Sequence, residues 1–334
     1  DGKSVVIEAR GDIYLVMADD SRPPRNLTNT PGTRERMPQL SPDGTRVAFY
    51  SDKTGEYQIY ALDIAGNKPW DALTTDLDRA AYHLVWSPDG TKILFGNKDF
   101  SLFWLDVATK KLTKFATSNQ MKNDEFFWEV SDYSWSPDSK WVTYSFVEFN
   151  RNNRVFLYSV EQNTSVPLTD GFYDSMNPSF DANGEYLYFL SYRNFTTRLD
   201  IFEDNHVIPN PVQVMVVQLK AGQTPPFAKA VTADKKAEAG AFRIDLAGIE
   251  HRVSPLPVPS GNYFFLKAGK GSVTWASNDF FGESEIETVF KPSGEDKWTL
   301  HVFDMASQKD TAVEGTLSDW TLSANHGAFV AKKG

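Results

Sequence analysis

The residues able to do chemistry in this chain are few and scattered. The five histidines are His83, His206, His251, His301 and His326, none close to another in sequence. Cysteine is absent, which removes thiolate catalysis, Cys-type zinc sites and disulfides. No Gly-x-Ser-x-Gly elbow, His-Glu-x-x-His pair or phosphate-binding glycine loop occurs. Gly269-Lys270-Gly271 reads as a hairpin turn, and Asp19-Asp20, Asp124-Glu125 and Glu203-Asp204 read as turns or solvated edges. A glycosidase would need two carboxylates aimed at one bond, and Asp132 with Asp319 is the pair that could supply them. One spacing does recur. Met37, His83, Asp132, Asn177 and Asp319 each stand four residues before a Ser-Pro-Asp-Gly turn or a variant of it. Four of these five are polar or charged. Singly, each reads as a strand cap that binds water. As a set they predict a rim of polar groups.

The elements that would position this rim follow from the turns themselves. Leu40-Ser41-Pro42-Asp43-Gly44, Trp86-Ser87-Pro88-Asp89-Gly90 and Trp135-Ser136-Pro137-Asp138-Ser139 are followed by weaker copies at Phe180–Gly184 and Leu322–His326. The first intervals are 46 (41 to 87), 49 (87 to 136) and 45 (136 to 181) residues. A repeat of that length, with short alternating apolar runs on each side of the turn, predicts an all-β propeller of four-stranded antiparallel blades. The clearest unit places strands at Met37–Leu40, Arg46–Ser51, Tyr57–Asp63 and Asp71–Thr74. Counting partial units at both ends gives seven blades, and merging the two ends into one gives six. Insertions are expected near 192–210, 224–248 and 278–297. The first strand of a blade is innermost, so the recurring polar positions should border the central axis.

Composition agrees with one large β domain over 1–334. Aromatic residues make up 14%, with 24 Phe, 13 Tyr and 9 Trp, and such side chains suit pleated, half-buried surfaces. The formal charge of −10 argues against nucleic acid and anionic membranes as partners, and no apolar run is long enough to span a bilayer. Asp1-Gly2-Lys3-Ser4-Val5 matches Asp43-Gly44-Thr45-Arg46-Val47. The chain therefore reads as a piece of a longer protein, cut inside a repeat at both ends, and no cofactor is implied.

Beyond the turns, which are similar to those of TolB-like propellers, longer blocks resemble the larger propeller of tricorn-type serine proteases. They are Glu8–Tyr14, Asn26–Thr28, Pro31–Arg36, Thr169–Asp174, Arg243–Val253 and Pro257–Tyr263, in the family's order. The resemblance implies a seven-bladed, non-catalytic propeller that gates or guides unfolded peptides through its axial channel to a downstream protease core, accompanied by a PDZ-like module. Arg34, Arg36, Tyr82, His83, Asp132, Tyr173, Asp174, Asn177 and Asp319 would form the peptide channel rim. They would hydrogen-bond an extended chain weakly, at many points and without demanding one sequence. The catalytic residues would lie outside this chain. The alternative is a TolB-like interaction scaffold with no peptidase core. The resemblance leaves homo-oligomeric assembly of the parent open and favours the periplasm over the cytosol.

Overall fold

The computed structural model describes residues 3–77, 81–118, 130, 132–199, 206–223, 227, 242–278, 298–322 and 329–333, with backbone alone at 198, 207, 314–322 and 329–333. Among these residues every regular element is a strand, apart from one 3-10 turn at Ile249–His251. The first sheet holds β1 (Ser4–Ala9), β2 (Asp12–Met17) and β3 (Arg25–Asn26). The second holds β4 (Glu35–Leu40), β5 (Arg46–Ser51), β6 (Gln58–Asp63) and β7 (Asp71–Ala72). The third holds β8 (Ala81–Trp86), β9 (Lys92–Asn97), β10 (Ser101–Asp106) and β11 (Leu112–Thr117). The fourth holds β12 (Tyr133–Trp135), β13 (Trp141–Val147), β14 (Asn153–Ser159) and β15 (Thr164–Pro167). The fifth begins with β16 (Ser175–Phe180) and β17 (Tyr186–Tyr192). A two-stranded ribbon, β18 (Arg198–Leu199) with β19 (His206–Val207), interrupts it before β20 (Val212–Gln218) and β21 (Val253–Pro255) complete it. The last sheet holds β22 (Tyr263–Ala268), β23 (Ser272–Ser277), β24 (Trp298–Asp304), β25 (Lys309–Leu322) and β26 (Phe329–Lys333).

Two compact units result. One comprises 1–131, 138–140 and 158–165, and the other 132–137, 141–157 and 166–334. Within each, the period-two alternation of the strands sends neighbouring residues to different cores. In the first unit, Val47 and Phe49 of β5 pack with Ile13 and Leu62, while Ala48 and Tyr50 pack with Leu84, Trp86 and Phe95. In the second, Leu187 and Phe189 of β17 pack with Val155, Leu157 and Met215, while Tyr188 and Leu190 pack with Tyr263 and Trp275. The middle strands are thus buried on both faces, and each fully enclosed Phe or Leu contributes about 1.5–3 kcal/mol. The indole N–H of Trp86 donates to the Gln39 carbonyl of the preceding sheet (3.1 Å). The aromatic residue before this turn thus ties two sheets together.

The Ser-Pro-Asp-Gly turn closes on itself. Ser41 Oγ donates to Asp43 Oδ1 (2.5 Å) and accepts from the Arg46 N–H (2.9 Å). Ser87 repeats both contacts with Asp89 and Lys92 (2.6 and 2.9 Å). The fourth turn position is left-handed, at φ 71 in Gly44 and 69 in Gly90, which glycine adopts without strain. A turn fixed this way sets the register of β4 against β5, so the residue four places upstream arrives at a fixed position in its strand, the third of six in β4, β8 and β16.

Trp320–Leu322, which leads into the weak turn copy at Leu322–His326, pairs with the following strand β26, while the earlier part of β25 pairs with β24. No proline interrupts Lys309–Leu322, so nothing in the sequence forces the strand to stop. The outer strand of the fifth sheet is delayed to Val253–Pro255, after the long excursion that follows β20. Of the expected insertions, 279–297 and most of 224–241 lie outside the described residues, and Phe242, Ile244 and Leu246 pack onto the core of the second unit.

Candidate functional site

In β4, β8 and β16 the position four residues before the turn is a β-bulge. Met37, His83 and Asn177 are left-handed, at φ 52, 35 and 52. Phe265 of β22 joins them at φ 56. The strand register slips at each of these places, between Arg36 and Gln39, Tyr82 and Val85, Met176 and Ser179, and Phe264 and Lys267. A bulge turns one N–H out of the ladder and re-aims a side chain. Left-handed backbone costs a non-glycine residue on the order of 1–2 kcal/mol, least for Asn. Side chains take up the released N–H groups. Met37 donates to Glu8 Oε2 (3.2 Å), Asn177 to Asp132 Oδ2 (2.7 Å) and Phe265 to Asn177 Oδ1 (3.0 Å).

In the second unit these contacts chain together. Asp132 lies just ahead of β12, and its carboxylate receives the backbone N–H and the Nδ2–H of Asn177 (2.7 and 2.8 Å). The Ser145 hydroxyl also donates to it. Burial pushes the Asp132 carboxyl up from its usual range, the three hydrogen bonds oppose that shift, and the nearby Asp174 charge adds to it. Asp174 accepts both the backbone N–H and the Nδ2–H of Asn153 (2.8 Å each). Asn177 then passes the connection to β22 through Phe265. Three expected rim residues, Asp132, Asp174 and Asn177, therefore share one cluster.

The fourth, Tyr173, stands beside that cluster among aromatic rings. Its ring meets Phe172 at 5.0 Å and Phe195 at 6.1 Å, and the Arg193 guanidinium lies 4.4 Å above it. Phe172 and Phe195 are 72% and 57% exposed. Sequence reasoning missed Arg193 and Phe195 because they fall in an excursion between β17 and β20 that has no repeat position.

Arg34, Arg36, Tyr82 and His83 belong to the first unit. Arg34 is exposed and 3.8 Å from Glu8, and its backbone N–H donates to Asp52 Oδ1 (2.8 Å). Arg36 lies 5.9 Å from the Tyr57 ring centre, with its Nε buried. Between them Glu35 is fully buried and accepts from the hydroxyls of Thr30, Thr33 and Ser51 (2.8, 2.9 and 3.0 Å). Tyr82 and His83 sit at the bulge of β8, His83 exposed. Asp319 pairs with Lys332 in the β25–β26 ladder. Its side chain lies outside the described residues.

A further constellation was invisible in the sequence. Ser277 Oγ lies 2.9 Å from His301 Nε2, and His301 Nδ1 lies 2.8 Å from Asp310 Oδ2. His301 stacks flat on Trp275, with centroids 5.3 Å apart and planes 4° apart. The arrangement has the order of a catalytic triad, but its setting is architectural. Ser277 sits opposite Tyr263 in the ladder, as Ser51 sits opposite Glu35 and Ser191 opposite Ser175. Ser51 bonds Glu35 (3.0 Å) and Ser191 bonds Ser175 (3.0 Å). Ser277 turns the other way, bonding His301 of β24 rather than the residue opposite it, and with Asp310 it links β23, β24 and β25.

The family described as the tricorn protease second β-propeller domain matches residues 1–334. A protein of Sulfurisphaera tokodaii described as a tricorn-like protease C-terminal subunit is 27% identical over 98% of this chain and 35% of its own length. The tricorn protease homolog of Saccharolobus solfataricus is 24% identical over 97% of this chain and 28% of its own. A crystal structure of the tricorn protease superposes on 100% of this chain and 31% of its own, with a TM-score of 0.83 and 21% identity. The fold is thus a tricorn-type β-propeller, and the chain spans about a third of the length of these relatives.

Proposed function

The chain belongs to the tricorn protease second β-propeller family, and from that membership we propose that it is the non-catalytic propeller of a tricorn-like peptidase, guiding unfolded peptides toward a protease core. The observation that carries this reading is the Asp132–Asn177–Phe265 relay with Asp174 beside it. It gathers carboxylate, amide and aromatic groups at the opening ends of successive inner strands. An extended peptide presents unpaired N–H and C=O groups along its whole length. Polar groups fixed on rigid strands can exchange hydrogen bonds with that backbone whatever its sequence. Folded domains are excluded by size, and weak contacts spread over many points let a peptide move on.

The test uses the full-length parent and this chain side by side. Long unfolded peptides should be cleaved by the parent and left intact by the isolated chain. In the parent, Asp132→Ala should lower kcat/KM for long peptides several-fold and leave very short peptides unaffected, with a thermal melt confirming the fold. Cleavage by the isolated chain, or equal handling of long and short peptides by the variant, overturns the proposal.

A further inference from the structure

Arg193 is held on only one side. Its backbone N–H donates to the Pro211 carbonyl (3.0 Å) and its Nε to Ser191 Oγ (3.2 Å), while the guanidinium rests 4.4 Å over Tyr173. Its two terminal nitrogens meet no acceptor among the described residues. A half-buried, stacked guanidinium is already ordered, so the rest of its fork is presented at little further entropy cost. The carboxylates on the adjoining loop are engaged elsewhere, Asp170 by the Phe172 N–H (2.9 Å) and Asp174 by Asn153 (2.8 Å). In a chain of net charge −10, this cation with an unfilled fork, flanked by the exposed rings of Phe172 and Phe195, is complementary to one chemistry: a carboxylate close to an aromatic side chain.

We propose that Arg193, Tyr173, Phe172 and Phe195 form a recognition site for acidic–aromatic segments of unfolded peptides, in which a Glu or Asp side chain pairs with Arg193 and an aromatic side chain two residues away stacks on the rings. In an extended chain, residues i and i+2 project from the same face, about 7 Å apart. That spacing suits a guanidinium 4.4 Å from Tyr173 and a ring 6.1 Å beyond it. Neighbours i and i+1 point to opposite faces and cannot use both halves together. The bond is a charge-assisted, bidentate one, and the ring contacts add a geometric filter. The site rests on the peptide-guiding reading for its role, but its chemistry can be tested without it.

The experiment titrates the chain with a fluorescein-labelled, N-acetylated and C-terminally amidated peptide carrying one Glu and one Phe two residues apart in a Gly-Ser-Gln background. Glu→Gln in the peptide should weaken binding about tenfold, the worth of a charge-assisted pair. Arg193→Lys should do the same, because an ammonium keeps the charge and loses the fork. Moving the Phe next to the Glu should also weaken it. Phe195→Ala, a change at an exposed side chain, gives a second probe that leaves the core untouched. No binding, or binding indifferent to Glu→Gln and to Arg193→Lys in a chain that melts normally, overturns the proposal. Binding that passes these tests in a parent whose cleavage of long peptides ignores Arg193→Lys would sink the guiding role and leave the recognition site standing.

Discussion

Asp181 shows what a single substitution in a repeat does. The other turns open with Ser41, Ser87 and Ser136, whose hydroxyls accept the N–H five residues on. In the fifth sheet a carboxylate does this work, accepting from the N–H groups of Glu185 and Tyr186 (2.8 and 3.0 Å). Burial pushes its pKa up to about 6, against the pull of those bonds. The folded chain therefore keeps this proton up to about pH 6, while the unfolded chain releases it near the ordinary value of 3.8. Stability from this group is greatest below pH 4 and is lost as pH rises through 6, by about 3 kcal/mol at neutrality. Asp181→Asn keeps the acceptor and removes the charge. It should raise the denaturation midpoint at pH 7.5, with the gain shrinking to near zero at pH 4. A gain equal at both pH values would mean that the carboxyl is not shifted.

The bulge is the element that the repeat pattern located without describing. The residues Met37, His83 and Asn177 mark it by position, yet they share no side-chain chemistry, because the strand needs a backbone conformation there and not a residue type. Phe265 stayed hidden because its sheet lacks the Ser-Pro-Asp-Gly turn, so no ruler reached it. Asn177 carries most of the connection in its unit, joining Asp132 on one side to the Phe265 N–H on the other. Asn177→Ala would orphan that N–H and strip Asp132 of one donor, at a cost of about 1–3 kcal/mol. Amide exchange at Phe265 should speed up ahead of the core amides of β17. Unchanged protection at Phe265 would show that the relay does not hold the two sheets together. The Ser277–His301–Asp310 tie escaped notice for a different reason: its members are 24 and 9 residues apart, and only the ladder brings them together.

For the molecule as a whole, the sequence carried the architecture well, because period-two alternation around a self-closing turn admits few other folds. Of the site it carried positions rather than contacts. Among the described residues of the second unit, Asp132, Tyr173, Asp174 and Asn177 share one neighbourhood. Side-chain roles depend on the loops between strands, where no periodicity operates. At this scale the prediction concerns the parent. It should degrade a chemically unfolded protein and spare the same protein in its native state, as followed by release of new amino termini. Equal degradation of both forms would contradict a narrow, non-catalytic entrance.

The outer strands of the sheets have a consequence for the life of this chain in crowded solution. β3 and β7 are two residues long, β21 is three and ends in Pro255, and β15 is four and ends in Pro167. β11, with six residues and Lys114 among them, and β26 of the last sheet, with five, offer longer borders. At the other four, a foreign strand seeking to add itself would find two or three hydrogen bonds before the border ran out or met a residue with no N–H to give. Sheets trimmed in this way resist the stacking that leads to fibrils. For a protein proposed to work among unfolded, adhesive peptides, that trimming keeps its cargo from becoming a permanent extra strand.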